Sequence, residues 1–515
     1  MRHAAVQKGI ITFNRFSAGV ILALLLVFML YLCGASLFET VYISMDDISG
    51  EKVETLHNNF FLNLIKLALI LSALYIFFKN TRHITLRRIE TLMLCLTVLF
   101  GFTFIFSCKL SAPWYTDSYI VTYAAHRASV GDLSQFDNYF VRFPFQLGYV
   151  LYSEIFFRVG RFVLRSVPDG YLWLALQGMN VIWLALGYYA LVSSCGLLFH
   201  NERVQKQTAL LLIFCTPPVM SCTFLYGNIP AFSCGLLAVW MFLLYINTNK
   251  IHNALLCILF LVLAVTLKLN LLIFCLAIGI VWLLECARKL NVKGLVCLVL
   301  MAVCVITIPK LPQKIYEQRC GCKFGDGIPM LAWLAMGLDD GYAGPGWYSQ
   351  THTVNVFTDS GNDPEATAES AMEFISDRSR EFAAAPSGAL KFFSEKLKSV
   401  WNDPSFESLW INDVQNSFGE KGFLYNLLCG DNSRRTHSFM DVFQQLIYLG
   451  IVLGLALLWR NRSPENCLLA LIILGGMLYH LLFEAKSQYA LPYFVLMVPL
   501  AACGFDRLFK LIEDR

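Results

Sequence analysis

Asp117 stands just past the end of an apolar stretch, beside Trp114 and Tyr115, where a membrane helix gives way to water. A carboxylate there is suited to general-base chemistry, taking a proton from a hydroxyl near the headgroup plane. The plainer alternative is a solvated loop Asp near a helix start. Two lysines offer the complementary charge. Lys268, in TLKLNLL, interrupts a long apolar run. An ionisable residue at that depth is costly and faces a cavity or a partner, unless it snorkels from a helix end. Lys486, with Glu484 and Gln488, lies between two apolar segments, where an ordinary interfacial charge is the plain reading. Asn228 lies in the turn Tyr226-Gly227-Asn228-Ile229-Pro230. Arg142, Gln146 and His126 are weaker candidates, and His480 reads as a helix-packing histidine. Asp339, Asp340 and Trp347 occupy the Gly-rich loop GLDDGYAGPGWYSQ (337–350), where Trp347 reads most simply as structural.

The elements that position these residues are membrane helices. Of the 515 residues 57% are hydrophobic and 15% charged, with a mean hydropathy of +0.58. Soluble domains run near 45–50% apolar and about 25% charged, so an ordinary soluble enzyme is excluded. Between Lys310 and Met440 lie 12 basic and 17 acidic residues, an acidic block in a chain whose net charge is +4. No basic run resembles a nucleic-acid footprint. Of the 17 Cys, all but Cys320, Cys322 and Cys429 lie in apolar segments and read as packing residues. No His cluster completes a zinc site, so no cofactor is expected and a divalent cation is not indicated.

About 20 apolar residues cross the hydrocarbon core as a helix. Candidate spans are 17–35, 60–78, 90–108, 145–163, 172–197, 208–224, 230–247, 253–268, 270–287, 294–309, 441–459, 466–483 and 489–507. The expected fold is therefore an all-α polytopic membrane protein with about 12–13 spans and a small, partly helical extracytoplasmic domain. Four regions follow: an N-terminal transmembrane hairpin (1–89), a transmembrane core (90–309) with an external loop at 109–143, the hydrophilic domain (310–440), and C-terminal helices with a short cytoplasmic tail (441–515). Basic clusters at Arg82, Arg87 and Arg88, at Arg288, Lys289 and Lys293, and at Arg460 and Arg462 mark cytoplasmic loops. The acidic loop 39–57, holding Asp46, Asp47 and Glu51, lies outside. Loop parity closes only if 172–197 is a broken re-entrant pair or if one of 145–163, 172–197 and 208–224 does not cross. Ser118–Val130 has helical composition without the length to span. Helices are expected at 365–382 and 387–401, separated by Pro386.

The order of these features resembles the GT-C glycosyltransferases, multi-span enzymes that use polyprenyl-phosphate-linked sugars, and within them the bacterial, protein-mannosyltransferase-like members. Asp117 matches the family's essential acidic position in the first large external loop. FPFQLGYVLY (143–152) resembles the segment that opens the next helix, and FEAKSQYALPYFVLMVPLAACGF (483–505) resembles the last span, with Lys486, Tyr489 and a Pro at its external end. The resemblance runs from about residue 90 onward and covers nearly all of the remaining chain. It implies inverting transfer of a sugar from a polyprenyl-phosphate donor to a cell-surface glycan, lipid or protein, with Asp117 as base. Lys486, Lys268, Gln488, Tyr489, Arg142, Gln146 and Asn228 would then be substrate-binding residues, Lys486 and Lys268 meeting the charge of the departing phosphate and Asn228 bonding a sugar hydroxyl. The loop of Asp339, Asp340 and Trp347 would close over the acceptor, with Trp347 stacking on a sugar, and the active site would face the extracytoplasmic side of the cell membrane. Ser118 follows Asp117, so the Asp-x-Asp pattern that would demand a metal is missing. A lipid-linked glycan transporter or flippase, or a non-catalytic scaffold of the same fold, is the alternative. Transporters commonly carry inverted repeats, and no second half of this chain echoes the first.

Overall fold

A computed structural model describes residues 2–45, 50–109, 116–163, 165, 168–415, 420–460 and 463–514. Trp114, Tyr115, Asp46, Asp47 and Arg462, which figure in the sequence reading, lie outside the described residues. The protein is almost entirely helical, with a single two-stranded antiparallel sheet among those residues.

Eight helices among the described residues are long and apolar enough to cross a membrane: Thr12–Phe38, Phe60–Asn80, Leu86–Cys108, Asp169–Phe199, Asn228–Thr248, Leu269–Lys289, Val292–Cys320 and Phe423–Leu458. They account for eight of the thirteen segments anticipated as spans, and the other five each differ for a physical reason. Ile251–Leu267 and Leu468–Leu482 are apolar but short. Leu147–Val163 carries Glu154, Arg158 and Arg161, and Glu154 is held by Arg319 through two bonds of 2.7 and 2.9 Å. Leu491–Glu513 ends in Asp506, Arg507 and Lys510, which belong in water or ion pairs. Segment 208–224 is divided into Glu202–Phe214 and Thr216–Met220, because Pro217 and Pro218 supply no N–H to a continuous helix. Residues 172–197, by contrast, form one unbroken helix, so no re-entrant pair exists there.

The acidic segment 39–57 is a β-hairpin rather than a loop, pairing Glu39–Ser44 with Lys52–His57. It docks on the hydrophilic region: the Val41 amide donates to the Asn402 carbonyl at 2.8 Å, and the Trp410 indole N–H donates to Gly50 O at 2.9 Å. Helix Thr116–Ala128 buries Val121, Ala124, Ala125 and Ala128 against Leu147–Val163, the small side chains permitting close approach. Helices Pro364–Ala384 and Pro386–Trp401 form as the sequence anticipates, the first capped by Asp363, whose carboxylate accepts from Glu365 N at 2.9 Å. A satellite core of Phe143, Ile328, Ala332, Ala335, Val354, Phe357 and Ala371 joins the hydrophilic region to the segment after Asp117.

Candidate functional site

Four segments converge around Asp117. It opens helix Thr116–Ala128, where a carboxylate is favoured by the helix's N-terminal dipole, and its side chain is exposed. Opposite it lies the turn between Ser221–Thr223 and Asn228–Thr248. Gly227 there adopts φ +83°, and a Cβ at that position would fall 2.7 Å from Leu267 O. Only glycine lets the turn press so closely on the end of helix Ile251–Leu267. Gly148 does the same from the other side, since a Cβ would meet Thr266 O at 1.8 Å. Two close approaches thus bring Gln146, Tyr226 and Lys268 together.

The Tyr226 hydroxyl donates to Asp117 Oδ2 at 3.0 Å and accepts from Gln146 Nε2 at 2.6 Å. The Lys268 ammonium sits 3.5 Å from the centroid of the Tyr226 ring and 5.5 Å from that of Tyr489. The Lys268 ammonium thus rests against aromatic faces, with the charges of Asp117 and Glu484 acting on it from further off. Asn228 Nδ2 donates to Gln488 Oε1 at 3.0 Å, linking the turn to segment 483–489. Burial and then the Asp117 charge push the hydroxyls of Tyr139, Tyr226 and Tyr348 upward, Tyr348 to about 12. Tyr489 is raised by burial, then by Glu484 and Asp117. These four phenols therefore surround one carboxylate.

Lys486 is placed differently. Its ammonium is paired with Glu51 of the hairpin and lies 4.0 Å from Glu407. Burial alone would lower the Lys486 pKa, but Glu51, Glu407 and Glu484 hold it above its ordinary value. Burial raises Glu407, against the pull of Lys486, and pushes Glu484 up to about 7. Glu407 is wholly buried and accepts from the Gln488 amide at 3.2 Å.

The structure thus gathers Asp117, Gln146, Asn228, Lys268, Gln488 and Tyr489, with Lys486 set in an adjoining cage of carboxylates. Arg142 ends helix Asn138–Arg142; its carbonyl accepts from Ile328 N at 3.1 Å, and its charge is felt by Tyr348. His126 is not part of this cluster: its Nε2 lies 3.0 Å from Asp169 Oδ2 and 2.7 Å from Arg161. His480 is a packing histidine, 2% exposed, with Nδ1 3.2 Å from Glu484 O. Trp347 cannot stack on a sugar, being fully buried with its indole N–H donating to Ser399 Oγ at 2.9 Å. Asp340 pairs with Arg378 at 2.7 Å, and Asp339 lies 3.8 Å from His352. All 17 cysteines are free, and no group of three or more His, Cys, Asp or Glu among the described residues is placed to hold a metal ion.

Tyr139, Tyr348, Glu407 and Lys396 escape the sequence reading, in which Glu51 figures only as one acid of an external loop. Lys396 is wholly buried, its ammonium donating to the carbonyls of Gly337 and, at 2.6 Å, Phe483. It ties the Gly-rich loop to segment 483–489. No spacing signal announces these residues; Tyr348, next to Trp347 in a Gly-rich loop, is the one that composition alone would have flagged.

Apolar helices of spanning length around a polar, tyrosine-lined site define a multi-pass integral membrane protein. The model of a family described as "conserved hypothetical integral membrane protein" matches residues 12–507, and the chain belongs to that family. No curated protein matches the chain in sequence. Among solved structures it is similar to the archaeal oligosaccharyltransferase AglB from Archaeoglobus fulgidus in complex with an inhibitory peptide and a dolichol-phosphate. Identity is 13% and the TM-score 0.39, over 81% of this chain and 51% of that one, so the chain spans about half the length of that protein.

Proposed function

We propose that the protein is a membrane glycosyltransferase of GT-C type, moving a sugar from a polyprenyl-phosphate donor to a glycan, lipid or protein acceptor. The reading rests on the site, not on the likeness to AglB. One observation carries it: an exposed carboxylate, Asp117, is hydrogen-bonded to Tyr226, whose ring seats the Lys268 ammonium. A base and a cation held on one side chain suit transfer from a phosphate-linked donor.

In the proposed reaction Asp117 takes the proton of the acceptor hydroxyl, and that oxygen attacks the anomeric carbon from the face opposite the phosphate. The bond from that carbon to the phosphate oxygen breaks, its electron pair leaves with the polyprenyl phosphate, and the configuration inverts. Lys268 meets the negative charge gathering on the phosphate. Lys486, balanced by Glu51, orders segment 483–489, so that Gln488 and Tyr489 meet the donor alongside Asn228. Arg142 and Gln146 line the acceptor's approach. In this reading residues 116–143 and the hydrophilic region face the extracytoplasmic side together; the bond between Arg142 and Ile328 supports their lying side by side.

The test is sugar release from a labelled polyprenyl-phosphate hexose by the purified protein with crude cell-envelope acceptor, comparing wild type with Asp117→Ala. Transfer in the wild type that drops by about 100-fold or more in the variant is expected for loss of a general base. No transfer by either, across several hexose and pentose donors, would remove the transferase reading in favour of a transporter or scaffold.

A further inference from the structure

We infer that Tyr226 is the positioning residue of the site, its hydroxyl fixing the Asp117 carboxylate while its ring face seats the Lys268 ammonium. The inference deepens the transferase reading and rests on it.

Tyr226 touches both proposed charges, each with a different part of the side chain. Its hydroxyl donates to Asp117 Oδ2 at 3.0 Å, and the Lys268 ammonium stands 3.5 Å from its ring centroid. The phenol O–H has one proton to give, and Gln146 Nε2, donating to the same oxygen at 2.6 Å, directs that proton toward Asp117. Oδ2 thus accepts a charge-assisted hydrogen bond that fixes the orientation of the carboxylate. The residue itself is 6% exposed and stands beside Gly227, whose left-handed conformation sets the turn against Leu267. Its ring therefore cannot swing away without moving the end of helix Ile251–Leu267, which carries Lys268. One rigid side chain thus sets the separation of base and cation, the kind of preorganisation on which transition-state stabilisation depends.

Replacing the hydroxyl and replacing the ring have separable consequences. Tyr226→Phe removes the donor to the ionised carboxylate and keeps the face for Lys268. Tyr226→Leu removes both. The titratable and charged groups facing the pair from neighbouring segments are Tyr139, Tyr348, Glu484, Tyr489 and Lys268, and none of them is altered in either variant.

The experiment is the steady-state kinetics of transfer, kcat and donor KM, for wild type, Tyr226→Phe, Tyr226→Leu and Gln146→Met, with Asp117→Ala as the reference for loss of the base. Tyr226→Phe is expected to lower kcat on the order of 10-fold, the scale of one hydrogen bond to a charged group, with KM for the donor unchanged. Tyr226→Leu should add a rise in donor KM. Gln146→Met, which leaves Tyr226 in place, should lower kcat by less, and it keeps the test open should a Tyr226 variant fail to fold. A Tyr226→Phe protein with the wild-type kcat, where Asp117→Ala is inactive, would overturn the inference and leave the transferase reading standing. Equal donor KM in the Phe and Leu variants would remove the ring's part in it. Absence of transfer in the wild type would end both.

Discussion

Lys268 and Lys486 occupy nearly the same local backbone and are satisfied in opposite ways. Each is extended (φ −156°, ψ 116° and φ −154°, ψ 121°), each precedes a three-residue 3-10 turn, and each turn leads into a long helix, Leu272–Lys289 or Leu491–Glu513. Lys486 faces Glu51, Glu407 and Glu484, so its charge is cancelled several times over. Lys268 rests against the rings of Tyr226 and Tyr489, with Asp117 and Glu484 acting on it only from further off. An aromatic face relieves part of a cation's desolvation cost without neutralising it, so an arriving anion still gains the charge. Lys396 shows a third solution, backbone carbonyls. The local chain geometry delivers a lysine to the site; only the side chains arriving from elsewhere decide whether it binds a ligand or holds the fold.

The sharpest way to break this comparison is to remove Lys486. Lys486→Ala strands Glu51 and Glu407 and should cost about 3–5 kcal/mol of stability, the scale for breaking a buried pair, read as a fall in the midpoint of thermal unfolding in detergent. Adding Glu51→Gln should cost less than the sum of the two single changes. Glu484 tests the same cage by pH. Its folded pKa, about 7, lies above the ordinary carboxylate value of 4.5. Its contribution to stability is thus fully present below about 4.5 and is lost as pH rises through about 7, a change on the order of 3 kcal/mol. Glu484→Gln should flatten that part of the stability–pH curve; an unchanged curve would show that another group sets it. Lys268→Ala should leave the unfolding midpoint nearly unchanged yet weaken binding of polyprenyl phosphate by about 10-fold or more, the size of one charge-assisted hydrogen bond. Equal destabilisation by the two lysine variants would collapse the distinction. Smallest of all, Asn228→Ala breaks the 3.0 Å bond to Gln488 and should cost about 1 kcal/mol in stability or donor binding.

Much of the helical frame is legible in sequence, because a run of apolar residues has few other uses. Helices Pro364–Ala384 and Pro386–Trp401, parted where Pro386 opens the second, follow from local chemistry, whereas 208–224 reads as one apolar run although Pro217 and Pro218 break it. The number of spanning helices is less so, since Glu154 and Asp506 find partners that let charged helices pack inside the molecule. Asp117 and Lys268 stand out because each is a charge at the edge of an apolar run. Glu51 and Glu407 do not, being acids in acidic segments whose role depends on Lys486 arriving from far along the chain. Residues 39–57 look like a loop because their strand alternation is short and mostly polar. What makes them a hairpin is docking on Asn402 and Trp410, which no local pattern contains. Trp347 misleads for the converse reason, since a tryptophan in a glycine-rich loop carries no mark of whether its indole is covered.

The ion pair between Glu51 and Lys486 also has a history within each molecule's synthesis. Its partners are 435 residues apart, and at typical ribosomal speeds of roughly 5–20 residues per second the first waits about 20 to 90 s for the second. During that interval Glu51 needs water, and a polar hairpin outside the apolar helices provides it where a transmembrane position would not. The site therefore reaches its final electrostatic balance only when the last helices are inserted, and a nascent chain stalled before Lys486 carries Asp117 and Lys268 but neither the charge that closes the cage nor Gln488 and Tyr489.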